Sequence, residues 1–160
     1  MPISSLPSPC GIGTLGAEAR KFAGFLAAAG QSCWQILPAG PTSYGDSPYQ
    51  SFSSFAGNPY FIDLDLLAED GLLEEAEYKN LNWGDDPRYV DYGLMYETRY
   101  PVLHKACDRL LAQDRPDFAV FCQEQKDWLE DYALFMALKD AHSGASWFTW
   151  PEDIRLRRPD

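Results

Sequence analysis

The segment from Trp34 to Tyr60, WQILPAGPTSYGDSPYQSFSSFAGNPY, holds most of the side chains in this 160-residue chain that could handle a ligand. One charge, Asp46, stands there among tyrosines, phenylalanines, serines and amides. Rings can cover the apolar faces of a ligand while hydroxyls and amides exchange hydrogen bonds with it, so the mixture suits a molecule with apolar faces and many hydroxyls. A loop of this length, neither charged nor repetitive, has the character of an ordered functional loop. Other chemistries lack their parts. No Lys-Ser/Thr pair follows the glycine-rich GIGTLG as a phosphate loop requires, and none of Ser4, Ser5, Ser51, Ser53 or Ser54 sits in a G-x-S-x-G elbow. The four cysteines show no C-x-x-C spacing and have only His104 and His142 to join them, which argues against zinc. Asp91 and Glu97 lie near aromatic residues, but nothing marks them as an acid/base pair.

The elements that must hold this loop are legible in part. A helix is expected from about Ala17, with Phe22, Phe25, Leu26 and Ala29 as one buried face and Gly30 as its cap. Trp34–Leu37 then reads as a short buried strand ending at Pro38, and this strand–helix–strand pattern suggests a parallel α/β sheet. Pro101 fits the first turn of a helix with the stripe Leu103, Ala106, Cys107, Leu110 and Leu111. Pro116 opens a longer one carrying Phe118, Phe121, Cys122, Trp128, Leu129, Tyr132, Phe135 and Met136. Cys107 and Cys122 read as buried thiols. Residues 1–60 are turn-rich and electrically balanced, so the whole net charge of −11 falls in 61–160. That charge argues against a nucleic-acid partner and against an anionic membrane surface. Neither a secretory signal nor a membrane-spanning run is present, so a soluble cytoplasmic protein is the expectation.

Five stretches carry a family resemblance: SSLPSPCGIGTLG, WQILPAGPTSYGDSPYQSFSSFAGNPYFID, VDYGLMYETRYPVL, WLEDYALFMALKDAH and WFTWPEDIRLR. In this order they resemble the N-terminal part of the 4-α-glucanotransferases (amylomaltases, or disproportionating enzymes). The resemblance implies the start of a (β/α)8 barrel with a helical insert, incomplete in this chain. Residues 1–60 would be the first barrel elements and a substrate loop; residues 61–160 would be the mainly helical insert. It implies transfer of α-1,4-glucan segments between maltooligosaccharides, or to glucose as acceptor, by a retaining double displacement. Such a mechanism needs two carboxyl groups about 5–5.5 Å apart. The family's catalytic carboxylates lie beyond the matched region, so the resemblance implies that this chain alone is inactive and that no residue here is catalytic. It implies no metal and no organic cofactor.

Binding residues are what remains to carry over. The family's loop beside the donor groove matches Asp46, Ser47 and Tyr49 here; alternatively, Asp46 sets a turn and Tyr49 is core. Tyr44 and Tyr96 match positions of a second, remote glucan site; the plainer reading is two surface rings. Cys10 and Cys33 depart from the aromatic residues expected there, and Asn58 and Gln50 read as loop-ordering residues. The alternative to an enzyme portion is a stand-alone glucan-binding module.

Overall fold

The computed structural model describes residues 1–43 and 45–158. Its regular elements are six helices: α1 (Ala17–Ala28), α2 (Leu64–Glu69), α3 (Tyr92–Leu111), α4 (Pro116–Glu124), α5 (Leu129–Ala141) and α6 (Glu152–Arg155), with short 3-10 turns elsewhere. The chain divides into two compact units, Met1–Arg115 and Pro116–Asp160. The change in composition near residue 60 falls inside the first.

Local chemistry sets the helix ends in the first unit. Asp63 Oδ1 accepts from Leu66 N (3.1 Å) to start α2, and Asp91 Oδ1 accepts from Leu94 N (2.9 Å) to start α3. Helix α1 closes on Gly30 (φ +73°), where Gly30 N donates to Ala27 O and Gln31 N to Leu26 O. Helix α2 closes the same way on Gly71. In both, the left-handed residue lets two orphan carbonyls find donors, and glycine takes that conformation without steric cost.

The main core of the first unit gathers Ile12, Leu64, Leu72, Tyr78, Trp83 and Met95 around the inner face of α3. That face is Met95, Arg99, Val102 and Ala106, spaced four, three and four apart as a helical stripe must be. A smaller cluster joins Ile3, Leu6 and Ala19, with Phe22 and Trp34 against it at 4.9 Å between ring centres. The glycines of GIGTLG admit close neighbours. A Cβ on Gly11 (φ +76°) would stand 2.5 Å from both Met95 Cε and Trp83 O, and one on Gly16 would collide with the Asp63 carboxylate. Their spacing serves packing of the N-terminal segment.

Three expectations are corrected. Trp34–Leu37 is extended but is no strand, and no strand occurs among the described residues. A strand exists through ladder bonds to a neighbour; here Trp34 Nε1 instead donates to Met1 O (2.8 Å), and Ile36 and Leu37 are exposed. Helix α3 begins at Tyr92, a turn and more before Pro101, which sits inside it with its ring on the exposed side. The buried stripe is rotated accordingly, leaving Cys107 and Leu111 exposed. The long helix from Pro116 is two helices, α4 and α5, broken at Gln125–Trp128, and Cys122 is only half-buried.

The second unit builds its packing on Trp150. Its ring stacks on His142 (5.4 Å) and lies 5.7 Å from Phe135, while Nε1 donates to Ala145 O (3.2 Å). No helix among the described residues is long and apolar enough to cross a membrane, and no group of three or more His, Cys, Asp or Glu side chains there is arranged to hold a metal ion.

Candidate functional site

The loop between Pro38 and Tyr60 is closed on itself. Asn58 N donates to Ala39 O (2.8 Å), tying its two ends, and Asn58 Oδ1 accepts from Tyr60 N (3.0 Å). Several polar groups inside it are spent on its own backbone. Ser47 Oγ accepts from Tyr49 N (3.3 Å), Ser51 Oγ donates to Ser53 O (2.7 Å), and Ser53 Oγ accepts from Phe55 N and Ala56 N at 3.1 and 3.0 Å. Hydroxyls satisfying nearby N–H groups in this way hold a turn-dense segment in shape without secondary structure. Asn58 is loop-ordering, as its sequence context suggested.

Asp46 takes the left-handed conformation (φ +53°), and its N–H donates to Ser43 O (3.0 Å). It therefore does set a turn. The same turn half-buries its carboxyl, and burial holds that carboxyl above the usual carboxylate range. Asp46 and Tyr92 together line a small hollow of about 70 Å³ with Pro48 and Asn58. The negative charge of Asp46 adds to burial in pushing the Tyr92 phenol upward. Tyr60 is shifted upward too, by burial first and by neighbouring Tyr100, Asp46, Tyr96 and Tyr92 after it.

A tyrosine chain extends from this hollow. Tyr60 lies 6.0 Å from Tyr92 and 5.6 Å from Tyr100, and Tyr100 lies 5.3 Å from Tyr96, each pair tilted or edge-on as ring quadrupoles prefer. Tyr96 ends the chain and is 65% exposed. Tyr49 is 73% exposed, so it is not core, and its ring meets no other described ring. Thus Asp46 and Tyr96 belong to one aromatic neighbourhood, Ser47 supports the backbone of Tyr49, and Tyr49 stands apart in solvent. Tyr44 lies outside the described residues.

The carboxylates with resolved partners have structural roles. Asp63 caps α2 and accepts from Thr14 Oγ1; Asp65 accepts from Tyr78 OH at 2.6 Å; Asp91 caps α3. Glu77 receives both Arg109 Nη atoms (2.6 and 2.9 Å) and Glu74 N (2.9 Å), which together hold its pKa down at about 2. Held that low, Glu77 is not poised to give or take a proton near neutrality.

One residue of consequence was missed in the sequence. Arg99 is fully buried on α3, donating to Cys10 O (3.3 Å) and Ile62 O (2.6 Å) with its guanidinium 5.7 Å from the Trp83 ring centre. No carboxylate pairs with it among the described residues. It pins the N-terminal segment, the end of the loop and α3 to one another, three residues from Tyr96. The signal was available: an arginine on a stripe otherwise formed by Met95, Val102 and Ala106 can only be a core cation.

Comparison with known proteins gives this neighbourhood its context. Residues 1–160 match the 4-alpha-glucanotransferase family along their whole length, and the chain belongs to that family. It is 53% identical over 158 residues to a 4-alpha-glucanotransferase of Clostridium butyricum, covering 99% of this chain and 32% of that protein. It is 51% identical over 162 residues to that of Thermus thermophilus, covering 96% and 31%. Among solved structures it matches an amylomaltase from Streptococcus agalactiae in complex with acarbose, with a TM-score of 0.93 and 45% identity over 99% of this chain and 32% of that one. The chain thus spans about a third of the length of the relatives it matches.

Proposed function

We propose that this chain is the N-terminal, sugar-holding portion of a 4-α-glucanotransferase, a cytoplasmic enzyme that moves α-1,4-glucan segments between maltooligosaccharides and to glucose. The observation that carries the reading is the family match across all of 1–160 together with a shared fold over a third of an amylomaltase. In this reading residues 1–60 contribute the first elements of a (β/α)8 barrel and its substrate loop, and 61–160 form the helical insert. Extended Trp34–Leu37 gains its ladder only beside further strands.

The chemistry is a retaining double displacement. One carboxylate forms a glycosyl-enzyme intermediate, a second serves as acid and then base, and a sugar hydroxyl in place of water ends the cycle. This chain's share is to bind and orient. Tyr49, exposed and backed by Ser47, offers a ring face to a glucosyl unit at the donor side. Asp46 accepts from a sugar hydroxyl at the edge of its hollow. Tyr96 and Tyr44 guide a longer glucan at a second position. The bond-breaking carboxylates lie outside the chain, in keeping with the structural roles of Asp63, Asp65, Glu77 and Asp91.

A chimera tests this. Residues 1–160 replace the matching third of the Clostridium butyricum relative, and maltotriose conversion to glucose and longer oligosaccharides is followed by chromatography. The chimera is expected to disproportionate, with Tyr49→Ala lowering kcat/KM by about tenfold, the scale of one lost stacking contact. A folded chimera without activity, or one indifferent to Tyr49→Ala, would refute the assignment.

A further inference from the structure

A larger hollow lies elsewhere in the first unit. It measures about 720 Å³ and runs between the N-terminal segment Ser4–Gly13 and the turn Trp83–Val90. None of the residues discussed above as glucan contacts lines it. Its size falls in the range of roughly 300–1,000 Å³ typical of small-molecule sites and exceeds one sugar ring.

Its lining specifies an occupant. The only charged residues are Asp86 and Arg88, and they spend their charge on each other: Arg88 Nε and Nη2 donate to Asp86 Oδ1 (2.9 Å) and Oδ2 (2.7 Å). Arg88 N adds a bond to Asp86 Oδ1 (3.0 Å) and Tyr89 N one to Asp86 O (3.1 Å), so the turn is locked around Pro87. In a chain of net charge −11, a neutral hollow of this size selects against an ionic ligand. The locked turn presents Tyr89, 74% exposed with the Arg88 guanidinium 5.9 Å from its ring centre. Opposite stand three hydroxyls: those of Ser4 and Ser5 make no hydrogen bond to another described residue, and Ser8 Oγ accepts from Cys10 N (3.1 Å), keeping its proton to donate. Trp83 forms an apolar wall, its own N–H already given to Tyr78 O (2.9 Å).

We infer that this hollow is an additional saccharide subsite, in which the Tyr89 ring stacks on a pyranose face while Ser4, Ser5 and Ser8 exchange hydrogen bonds with its hydroxyls. A preformed aromatic platform costs little ordering entropy on binding, and serine hydroxyls can donate or accept as the sugar requires. That the sugar is a stretch of α-1,4-glucan rests on the function proposed above; that the ligand is neutral and polyhydroxylated rests on the hollow itself.

The test titrates the ¹⁵N-labelled 160-residue chain with maltoheptaose, alongside Tyr89→Ala and Tyr89→Phe. Amide shifts are expected in 4–13 and 83–90 and at the Trp83 indole N–H, with affinity insensitive to salt. Tyr89→Ala is expected to weaken binding by about tenfold and Tyr89→Phe by no more than about twofold, since stacking needs the ring and not the hydroxyl. Because Tyr89 is exposed, the fold should survive both changes, and near-ultraviolet dichroism checks it. Shifts confined to the 38–60 loop, or an affinity unmoved by Tyr89→Ala, would overturn the inference. It fails separately from the proposed function: an active chimera with Tyr89-independent binding sinks only the subsite. Tyr89-dependent binding with an inactive chimera sinks only the enzymatic reading.

Discussion

The two units solve the same problem with unequal means. Met1–Arg115 buries a continuous core about α3, with Met95 and Arg99 fully out of solvent. In 116–158, Trp150 is the only buried residue among those described, while Phe118, Phe121, Leu134, Trp147 and Phe148 remain exposed. Polypeptides of roughly 40–60 residues hide too small a share of their apolar surface to be robust alone, and the second unit is of that order. The turns tell the same story. Helices α1 and α2 close on Gly30 and Gly71, whereas α5 and α6 close with the same hydrogen-bond pattern on Ser143 (φ +53°) and Arg157 (φ +50°). Side chains forced into that conformation cost about 1 kcal/mol or more each. The first unit has the buried core that can hold its loops in place; the second does not.

The largest contrast should come from truncating one core residue in each. Met95→Ala is expected to cost about 2–5 kcal/mol in urea unfolding, because nothing nearby can collapse into the space. Phe121→Ala, on the open face of α4, should cost roughly 1 kcal/mol or less. Equal losses would show that the second unit hides a core of its own. Limited proteolysis and hydrogen exchange should agree, with cuts and fast amides in 116–158 before any in α3.

Acid offers a finer probe of the first unit. Glu77 has a pKa of about 2 in the folded chain against 4.5 ordinarily, held there chiefly by Arg109. A depressed carboxylate contributes stability that is complete above the ordinary value and lost as pH falls toward the folded one. Unfolding midpoints of the wild type should therefore drop between about pH 4.5 and pH 2 by more than those of Glu77→Gln. Identical pH profiles would remove Glu77 from the account. The smallest effect expected is a gain. Ser143→Gly should relieve the α5 closure and raise stability by about 0.5–1 kcal/mol, read as a small rise in the thermal midpoint of the second unit. A loss would mean that Ser143 makes a contact worth more than its strain.

Legibility in the sequence followed the range of the forces involved. The extent of α1 with its Gly30 stop, and the opening of α4 at Pro116, are local and were readable. The buried face expected for α1 was not: Phe25 and Ala29 are exposed and Ala19 is the residue it buries. Helix α3 was misplaced because Pro101 in a solvent-facing position is tolerated mid-helix, where Asp91 supplies the start. The place of Arg99 on the buried stripe of α3 was readable once the helix start is right, but its partners, the carbonyls of Cys10 and Ile62, are remote in the chain. The strand at Trp34–Leu37 failed for the same reason, since pairing depends on a neighbour and no composition reveals one. In the loop, residue types suggested a ligand with apolar faces and many hydroxyls. They did not reveal that Ser47, Ser51, Ser53 and Asn58 are committed to the backbone, which leaves Tyr49 and Tyr96 exposed and Asp46 half-buried.

If this chain holds sugar but does not break it, maltotriose turnover by the purified 160-residue chain, run beside the chimera, should separate the two roles. Products are expected from the chimera and none from the chain at any concentration tried. Glucose and maltopentaose released by the 160-residue chain itself would place the reacting carboxylates within it and contradict the account.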